Sequence, residues 1–194
     1  MYKRQVYKRG IEEFFDASFF LEKSQSAKIF KILFKVKNVN FMYPKMANEN
    51  FSIKIISAGE TRNLRQLILR PSQKAEELIF PGDDDEKTVH FGLYYNDRLS
   101  GIASLYNETS PIVKNDFSWR LRGMATTLEV RGMGFGKELM NVCIEHIKSK
   151  NGKIFWCNAR TTAENFYEKF GMKRYGEVFY PEGLGAHIVM EVNI

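Results

Sequence analysis

The residues best able to do chemistry form a glycine-rich segment, Arg131 to Lys137, with the sequence RGMGFGK. It lies between a predicted long strand and a predicted helix. Glycine has no Cβ, so backbone N–H groups can approach a ligand closely. A helix N-terminus carries partial positive charge and favours anions. Arg131 and Lys137 add formal positive charge, and the segment therefore predicts a binding site for a phosphate or pyrophosphate.

The spacing of these glycines excludes two other phosphate-binding patterns. A Walker A motif needs Ser or Thr after Gly-Lys, but Gly136 and Lys137 are followed by Glu138. A dinucleotide fingerprint needs a third glycine five residues after the first, and neither Gly132 nor Gly134 has a glycine at that distance. The pattern that remains is Arg-x-x-Gly-x-Gly.

Strands and helices alternate along the chain on both sides of this segment, with hydrophobic periods that change between two and 3.6 residues. Their order predicts an α/β fold, a mixed sheet with helices on its faces. The predicted strands are Phe51 to Ile56, Val89 to Tyr95, Leu99 to Leu105, Phe117 to Thr127, Ile154 to Cys157, Lys173 to Phe179 and Ala186 to Val192, and the predicted helices are Thr61 to Leu69, Gly134 to Lys150 and one that begins near Thr161.

Two local patterns predict where side chains lie. Thr161 is followed three residues later by Glu164, the pattern of a capping box, so we expect the Thr161 side chain to cap the helix after it. The long strand should alternate between its two faces without interruption. One face would hold Phe117, Trp119, Leu121, Gly123 and Ala125, and the other Arg120, Arg122, Met124 and Thr126.

The net charge of +6 belongs to the first part of the chain. Residues 1–45 contain ten Lys and Arg against four Asp and Glu, whereas residues 46–194 contain nineteen of each. A nucleic-acid-binding domain needs a basic face, and the neutral balance of residues 46–194 requires none. We therefore predict a basic, aromatic leader at residues 1–45, outside the domain, and the domain itself at residues 46–194.

The leader leaves alternatives open. Its basic and aromatic residues could form an amphipathic arm for a membrane surface or a protein partner. A signal peptide is disfavoured, because acidic residues such as Glu12, Glu13 and Asp16 interrupt any apolar core. The simplest interpretation is that this sequence is upstream of a domain that begins near Met46.

Cysteine, histidine and hydropathy patterns exclude several classes. The two cysteines rule out a disulfide scaffold and form no Cys-x-x-Cys zinc motif. The three histidines are scattered and match no metal-ligand spacing, so no metal site is expected. No apolar run is long enough to predict a transmembrane helix.

The Arg-x-x-Gly-x-Gly motif at Arg131, Gly134 and Gly136 resembles the acyl-CoA loop of the GNAT superfamily of N-acetyltransferases. Residues 158–172 resemble the superfamily's second motif, where a helix ends in Phe-Tyr-x-x-x-Gly-Phe; Met172 stands in place of the last Phe. Residues 176–179 and 187–190 resemble small bacterial members of unassigned substrate. The resemblance covers residues 52–192. It implies a GNAT-like acyl-CoA N-acyltransferase fold, a mostly antiparallel sheet splayed at the cofactor site with helices on both faces.

The resemblance also implies acetyl-CoA as co-substrate and no metal. The strand before the loop would pair with the pantetheine arm, which assigns the backbone of Leu128 and Val130. Asn158 and Asn165 could bond to the amides of acetyl-CoA; otherwise they lie at a strand end and on a helix surface. The pyrophosphate would be held by the N–H groups of Arg131, Gly132, Met133, Gly134, Phe135, Gly136 and Lys137.

In this superfamily a substrate amine attacks the thioester carbon directly. Tyr167 is the candidate acid for the leaving thiolate, unless it is a core residue of an amphipathic helix. The base for the amine is predicted to be Glu129, acting through water, or His187. Because direct transfer needs no covalent intermediate, Cys157 is not expected to be a nucleophile.

The predicted function is transfer of an acetyl group from acetyl-CoA to a primary amine of a small molecule or protein. Arg120 and Arg122 could bind an acidic acceptor, or be solvated or paired with the acidic loop Asp83 to Glu86. Two alternatives are a non-catalytic acyl-CoA-binding module and a binding protein that acts through the leader. The expected partner is a small-molecule or peptide amine, with no nucleic acid or membrane; a homodimer is also considered, and the expected location is the cytoplasm.

Overall fold

The structure, a computed structural model, describes residues 51–194, so the predictions for the leader lie outside the described residues. This part of the chain forms seven strands and three α-helices. They are β1 Phe51–Ile56, α1 Ala58–Leu64, β2 Val89–Tyr95, β3 Arg98–Tyr106, β4 Ser118–Thr126, α2 Phe135–Ser149, β5 Ile154–Arg160, α3 Glu164–Glu168, β6 Lys173–Phe179 and β7 His187–Asn193. A π-helical turn, Arg65–Leu69, follows α1, and 3-10 turns occupy Ala75–Glu77, Leu128–Val130 and Thr161–Ala163.

The seven strands form one sheet in the order β1-β2-β3-β4-β5-β7-β6. Neighbouring strands are antiparallel except for β4 and β5, which run parallel. The antiparallel hairpin of β2 and β3 turns at Asn96 and Asp97, both of which have positive φ, as the tight two-residue connection requires. The predicted mixed, mostly antiparallel sheet is confirmed.

Helices cover both faces of the sheet. On one face, α2 buries the stripe predicted from its sequence, including Phe135, Leu139 and Cys143, against the main core. On the other, Leu64 of α1 packs with Ile102 in a smaller cluster. Burial of these apolar stripes, at roughly 25 cal/mol per Å² of apolar surface, is the main contribution that holds helices and sheet together.

The alternation predicted for β4 is wrong beyond Gly123. Ile102 pairs with Ala125 while Ser104 pairs with Arg122, so β4 carries one residue more than β3 over this stretch. This β-bulge is centred on Gly123, whose φ is +61°. Met124 therefore packs with the main core, and Ala125 moves to the opposite face, in the cluster with Leu64.

Two helix starts differ from the prediction. α1 begins at Ala58, not Thr61, because Ser57 and Glu60 form a capping box that the sequence reading missed. The capping box predicted at Thr161 is absent: no side chain caps α3, because Thr161 lies inside a 3-10 turn that precedes the helix. Within residues 51–194, no helix is long and apolar enough to cross a membrane.

Candidate active site

The candidate site lies where β4 and β5 separate. The two strands pair from Ser118 and Ile154 as far as Leu121 and Cys157. Beyond that point β4 continues along β3, while β5 continues along β7 to Arg160. The sheet therefore opens between residues 122–126 of β4 and residues 158–160 of β5.

The opening exposes strand backbone to a ligand. The Thr127 N–H donates to the Ser100 carbonyl at 2.8 Å, and Ala125 is paired with Ile102. Since successive residues of a strand direct their backbone groups to opposite edges, those of Met124 and Thr126 are directed towards the opening. Beyond Leu121 no β5 residue pairs with β4 in the described chain. These groups can form strand-like hydrogen bonds with an extended ligand.

The premise that placed Leu128 and Val130 on this strand is wrong. β4 ends at Thr126, and residues Leu128–Val130 form a 3-10 turn. The Leu128 and Val130 carbonyls accept from the N–H groups of Arg131 and Met133, so the turn uses them internally.

The glycine-rich segment leads into α2 with free backbone donors. Gly132 and Gly134 have φ of +82° and +85°, conformations that few residues other than glycine adopt. A Cβ added to either would meet nothing within 4 Å. In the described chain the N–H groups of Gly132, Gly134, Phe135 and Gly136 have no hydrogen-bond acceptor.

No side chain caps the N-terminus of α2. The free N–H groups, the partial positive charge of a fifteen-residue helix and the exposed side chains of Arg131 and Lys137 make this an open, electropositive cradle. These residues fit a pyrophosphate. The fit depends on an open approach, which the space above Gly132 and Gly134 provides.

Tyr167 lies beside this cradle on α3. A Cβ on Gly136 would lie 3.4 Å from the neighbouring ring of Phe166, so α3 packs against the start of α2. Burial raises the pKa of Tyr167, and the nearby thiols of Cys157 and Cys143 raise it further. Its hydroxyl makes no hydrogen bond to another described residue. The phenol is therefore protonated, close to the last paired residue of β5, and available to donate.

The two buried cysteines are poor nucleophiles. Burial raises the pKa of Cys157 to about 12, although the charge of Arg120 opposes the shift, and burial raises the pKa of Cys143 as well. The thiolate is the reactive form, so neither side chain is activated. This agrees with the expectation that Cys157 is not a nucleophile.

The two candidate bases have different surroundings. Glu129 is exposed in the 3-10 turn and has no partner among the described residues. His187 is buried, and its Nδ1 lies 3.0 Å from the Gly185 carbonyl. A carbonyl only accepts, so Nδ1 carries a proton and donates it to this bond, while Nε2 has no partner among the described residues. His187 pairs with Arg160, three residues beyond Cys157.

Asn158 and Asn165 are both exposed and make no hydrogen bond to other described residues. Asn158 lies on β5 between the core residues Cys157 and Ala159, so its side chain is on the face opposite α2. Asn165 is on α3, next to Phe166. The structure thus brings Asn165 to the α2 side of the opening and Asn158 to the other side.

A buried polar network on the face opposite α2 was missed by sequence reasoning. Arg65 binds Asp83 through two hydrogen bonds of 2.6 and 2.8 Å, and Tyr106 donates to the same carboxylate. Burial alone would raise the pKa of Asp83, but the hydrogen bonds from Arg65, Tyr106 and the Phe80 amide lower it to about 2. The sequence signal that could have revealed this network is Arg65, an arginine on an apolar helical face.

Arg120 and Arg122 lie on this face with the network, and neither pairs with the acidic loop. Arg120 binds Glu108 at 2.7 Å and lies over the Trp156 ring. Arg122 donates to the Pro81 carbonyl at 3.0 Å and lies over Phe80. Arg120 is thus occupied by a carboxylate, and Arg122 is not.

Comparison with known proteins agrees with this geometry. Residues 47–194 match the family described as "Acetyltransferase (GNAT) domain". An uncharacterized N-acetyltransferase, YitI of Bacillus subtilis, is 36% identical over 138 residues, which cover 71% of this chain and 93% of that protein.

Solved structures share the fold at lower identity. ElaA of Escherichia coli matches with a TM-score of 0.59 at 20% identity, over 73% of this chain and 98% of that one. The ribosomal-protein-S18-alanine N-acetyltransferase of E. coli matches with a TM-score of 0.59 at 17% identity, over 74% and 94%. The family match and the YitI relationship establish that the chain belongs to the GNAT superfamily of N-acetyltransferases and is an acyltransferase.

Proposed function

We propose that the protein transfers an acetyl group from acetyl-CoA to a primary amine by direct attack. The observation that carries the proposal is the opening between β4 and β5, flanked by four free N–H groups at the start of α2. Such an opening accepts an extended chain, and the helix start accepts its phosphates. Acetyl-CoA, when bound, supplies the activated acetyl thioester.

The binding residues follow from these donors. The pyrophosphate would be held by the N–H groups of Gly132, Gly134, Phe135 and Gly136, with Arg131 and Lys137 beside them. The sequence predicted that Leu128 and Val130 form strand-like hydrogen bonds with the pantetheine arm. We assign these bonds instead to Met124 and Thr126, which lie in the opening. Asn165 lies on the same side and could reach an amide of the arm.

The chain must move two protons. An alkyl amine has a pKa of about 10.4 and is mostly protonated near neutral pH, so a base must accept its proton. We assign this role to His187, acting through water from the free Nε2, with Glu129 as the second candidate. The Tyr167 hydroxyl would give its proton to the departing thiolate, because its raised pKa keeps it protonated.

A cytoplasmic location is part of the proposal. It is supported by two free, buried cysteines, which are typical of a reducing compartment. The homodimer stays a prediction.

Two measurements test the function. Calorimetry should detect binding of acetyl-CoA, and thiol detection should show CoA release that increases with amine concentration across a panel of primary amines. Absence of acetyl-CoA binding would contradict the proposal. His187→Gln and Glu129→Gln distinguish the bases: we expect a large loss of kcat in the first variant and little in the second, with acetyl-CoA affinity unchanged in both.

A further inference from the structure

Three arginines from separate elements meet at the rim of the opening. Arg70 follows the π-helical turn, Arg122 is the first β4 residue beyond the paired region, and Arg160 ends β5. The Arg70 Nη1 and Arg160 Nη2 atoms donate to the same oxygen, the Leu69 carbonyl, at 3.0 and 3.2 Å. Two guanidinium groups therefore lie side by side although their residues are 90 positions apart in sequence.

Arg122 completes the group. Burial lowers the pKa of Arg70, and the charges of Arg160 and then Arg122 lower it further, so both of these charges act on Arg70. Arg122 is held in place by the Pro81 carbonyl and by the faces of Phe80 and Tyr106. We call Arg70, Arg122 and Arg160 the arginine cluster.

The acidic groups near the cluster are already bound by other residues. The carboxylates that act on Arg122 are Glu108 and Asp83. Arg120 binds Glu108, and Arg65 binds Asp83. Within residues 51–194, no carboxylate lies within ion-pair distance of an arginine of the cluster.

This arrangement is unfavourable without an anion. Like charges this close repel one another, and residues 46–194 carry equal numbers of basic and acidic residues, so the cluster is a local excess in a neutral body. Each guanidinium has five donors and binds carboxylate or phosphate oxygens in a planar fork. The hydrogen bonds described above use one donor each, which leaves donors for a ligand.

The position of the cluster suits the acceptor. Arg120 and Trp156 are paired across the two strands, on the face opposite α2. Residues at even spacing along a strand share a face, so Arg122 and Arg160 lie on this face too, and with them the cluster. Tyr167 packs with the main core, on the α2 side. A ligand held by the cluster therefore approaches the opening from the side opposite the proposed acid.

We infer that the acceptor is an amine that also carries an acidic group, a carboxylate or a phosphate, and that Arg70, Arg122 and Arg160 bind this group. The inference rests on the proposed function, because it names the acceptor class of the same site. Arg120, one of the two arginines that the sequence suggested, is excluded because Glu108 occupies it.

The test uses pairs of amines that differ in the acidic group: β-alanine against β-alaninamide for a carboxylate, and O-phosphoethanolamine against ethanolamine for a phosphate. Binding to the CoA-loaded full-length protein is measured by calorimetry, and kcat/KM by thiol release. We expect at least one acidic member to bind about 10-fold or more tightly than its neutral partner, since a charge-assisted hydrogen bond contributes on this scale. The pair that shows the preference identifies the anion.

Arg122→Gln and Arg160→Gln should each reduce this preference about 10-fold, while acetyl-CoA affinity stays unchanged. Thermal stability should stay unchanged in Arg160→Gln, whereas Arg122→Gln also loses the contacts with Pro81, Phe80 and Tyr106. Arg160→Lys keeps the charge and should retain part of the preference. Arg98→Gln, at the exposed β2–β3 hairpin, is the matched control and should retain all of it. Equal binding within both pairs, no binding of either acidic amine, or a preference that survives both Gln variants would overturn the inference. If the unmodified protein does not bind acetyl-CoA, that result would instead contradict the proposed function.

Discussion

The paired and the separated halves of β4 and β5 differ in what surrounds their residues. In the closed half, residues 118–121 and 154–157, the strands bond to each other and bury Trp119, Leu121 and Phe155. In the open half, residues 122–126 and 158–160, the strands follow different neighbours, and Arg122, Thr126, Asn158 and Arg160 are partly or fully exposed. The same pair of strands is core at one end and the proposed binding surface at the other.

The difference shows that the site depends on where pairing stops, not on a separate element. Leu121 is the last β4 residue that pairs with β5, and the bulge at Gly123 bends β4 two residues later. Over the same stretch β5 keeps its register with β7. Changes in the open half should therefore alter rate or ligand affinity at constant stability, whereas changes in the closed half should alter stability. The predictions below use this contrast.

The largest effect is expected from Tyr167→Phe, on α3 beside the open half. The ring and its packing remain and only the hydroxyl is lost, so stability should change little. Loss of a general acid reduces rate by about 10²–10⁴-fold, roughly 3–5 kcal/mol in the barrier. Acetyl-CoA affinity should stay unchanged, because the hydroxyl acts on charge that develops during reaction. Steady-state kinetics with an accepted amine and calorimetry measure the two effects.

Tyr175→Phe, on the exposed part of β6, is the matched control and should turn over like the unmodified protein. Because burial raises the pKa of Tyr167 above its usual value of 10.0, ionisation of this phenol should cause no loss of rate up to that pH. Normal turnover in a folded Tyr167→Phe protein would remove Tyr167 from the mechanism and leave water as the proton donor.

The second prediction concerns the closed half and its stability against acid. His146 packs edge-on against Trp119 and Phe91. Burial, and then the charge of Lys150, lower the pKa of His146 from 6.5 to about 4. The unfolded chain therefore binds this proton at higher pH, and the free energy of unfolding should fall by up to about 3 kcal/mol as the pH falls from 6.5 to 4. Urea unfolding across this range measures the loss.

His146→Gln should remove this part of the pH dependence. The contribution of Asp83 is separate, because its lowered pKa of about 2 means that its stabilisation is lost only below its usual value of 3.8. A variant whose stability falls as steeply as that of the unmodified protein between pH 6.5 and 4 would show that His146 is not the group responsible.

The closed half could be predicted from sequence more fully than the open half. Apolar periodicity indicated α2 and the buried residues of β5, and the glycine spacing indicated the turn with positive φ that leads into α2. The point at which β4 and β5 stop pairing has no local sequence signal, because it depends on which neighbouring strand β5 continues along. The arginine cluster has none either, since Arg70 and Arg160 share a carbonyl only in the folded chain. Leu128 and Val130 were misplaced because the 3-10 turn follows the strand directly.

A smaller effect is expected from Gly134→Asn. Asn tolerates the positive φ of this position better than other side chains, and its side chain would project into the space where the pyrophosphate is proposed. Acetyl-CoA affinity should fall about 10-fold or more, which corresponds to about 1.4 kcal/mol. Gly176→Asn is the matched control, because Gly176 has a φ of +70° and its added Cβ also meets nothing within 4 Å. Calorimetry that gives equal affinities for the two variants would contradict the assignment of the loop.

The smallest effect is expected from removal of residues 1–45. The family match begins at residue 47. A chain that begins at Met46 should therefore unfold at the same temperature, bind acetyl-CoA with the same affinity and lose the same factor in rate on Tyr167→Phe. Thermal unfolding, calorimetry and kinetics beside the full-length protein make the comparison. If the shorter chain aggregates or binds acetyl-CoA more weakly, residues 1–45 contribute to the domain, and the contrast between the closed and open halves must be extended to include them.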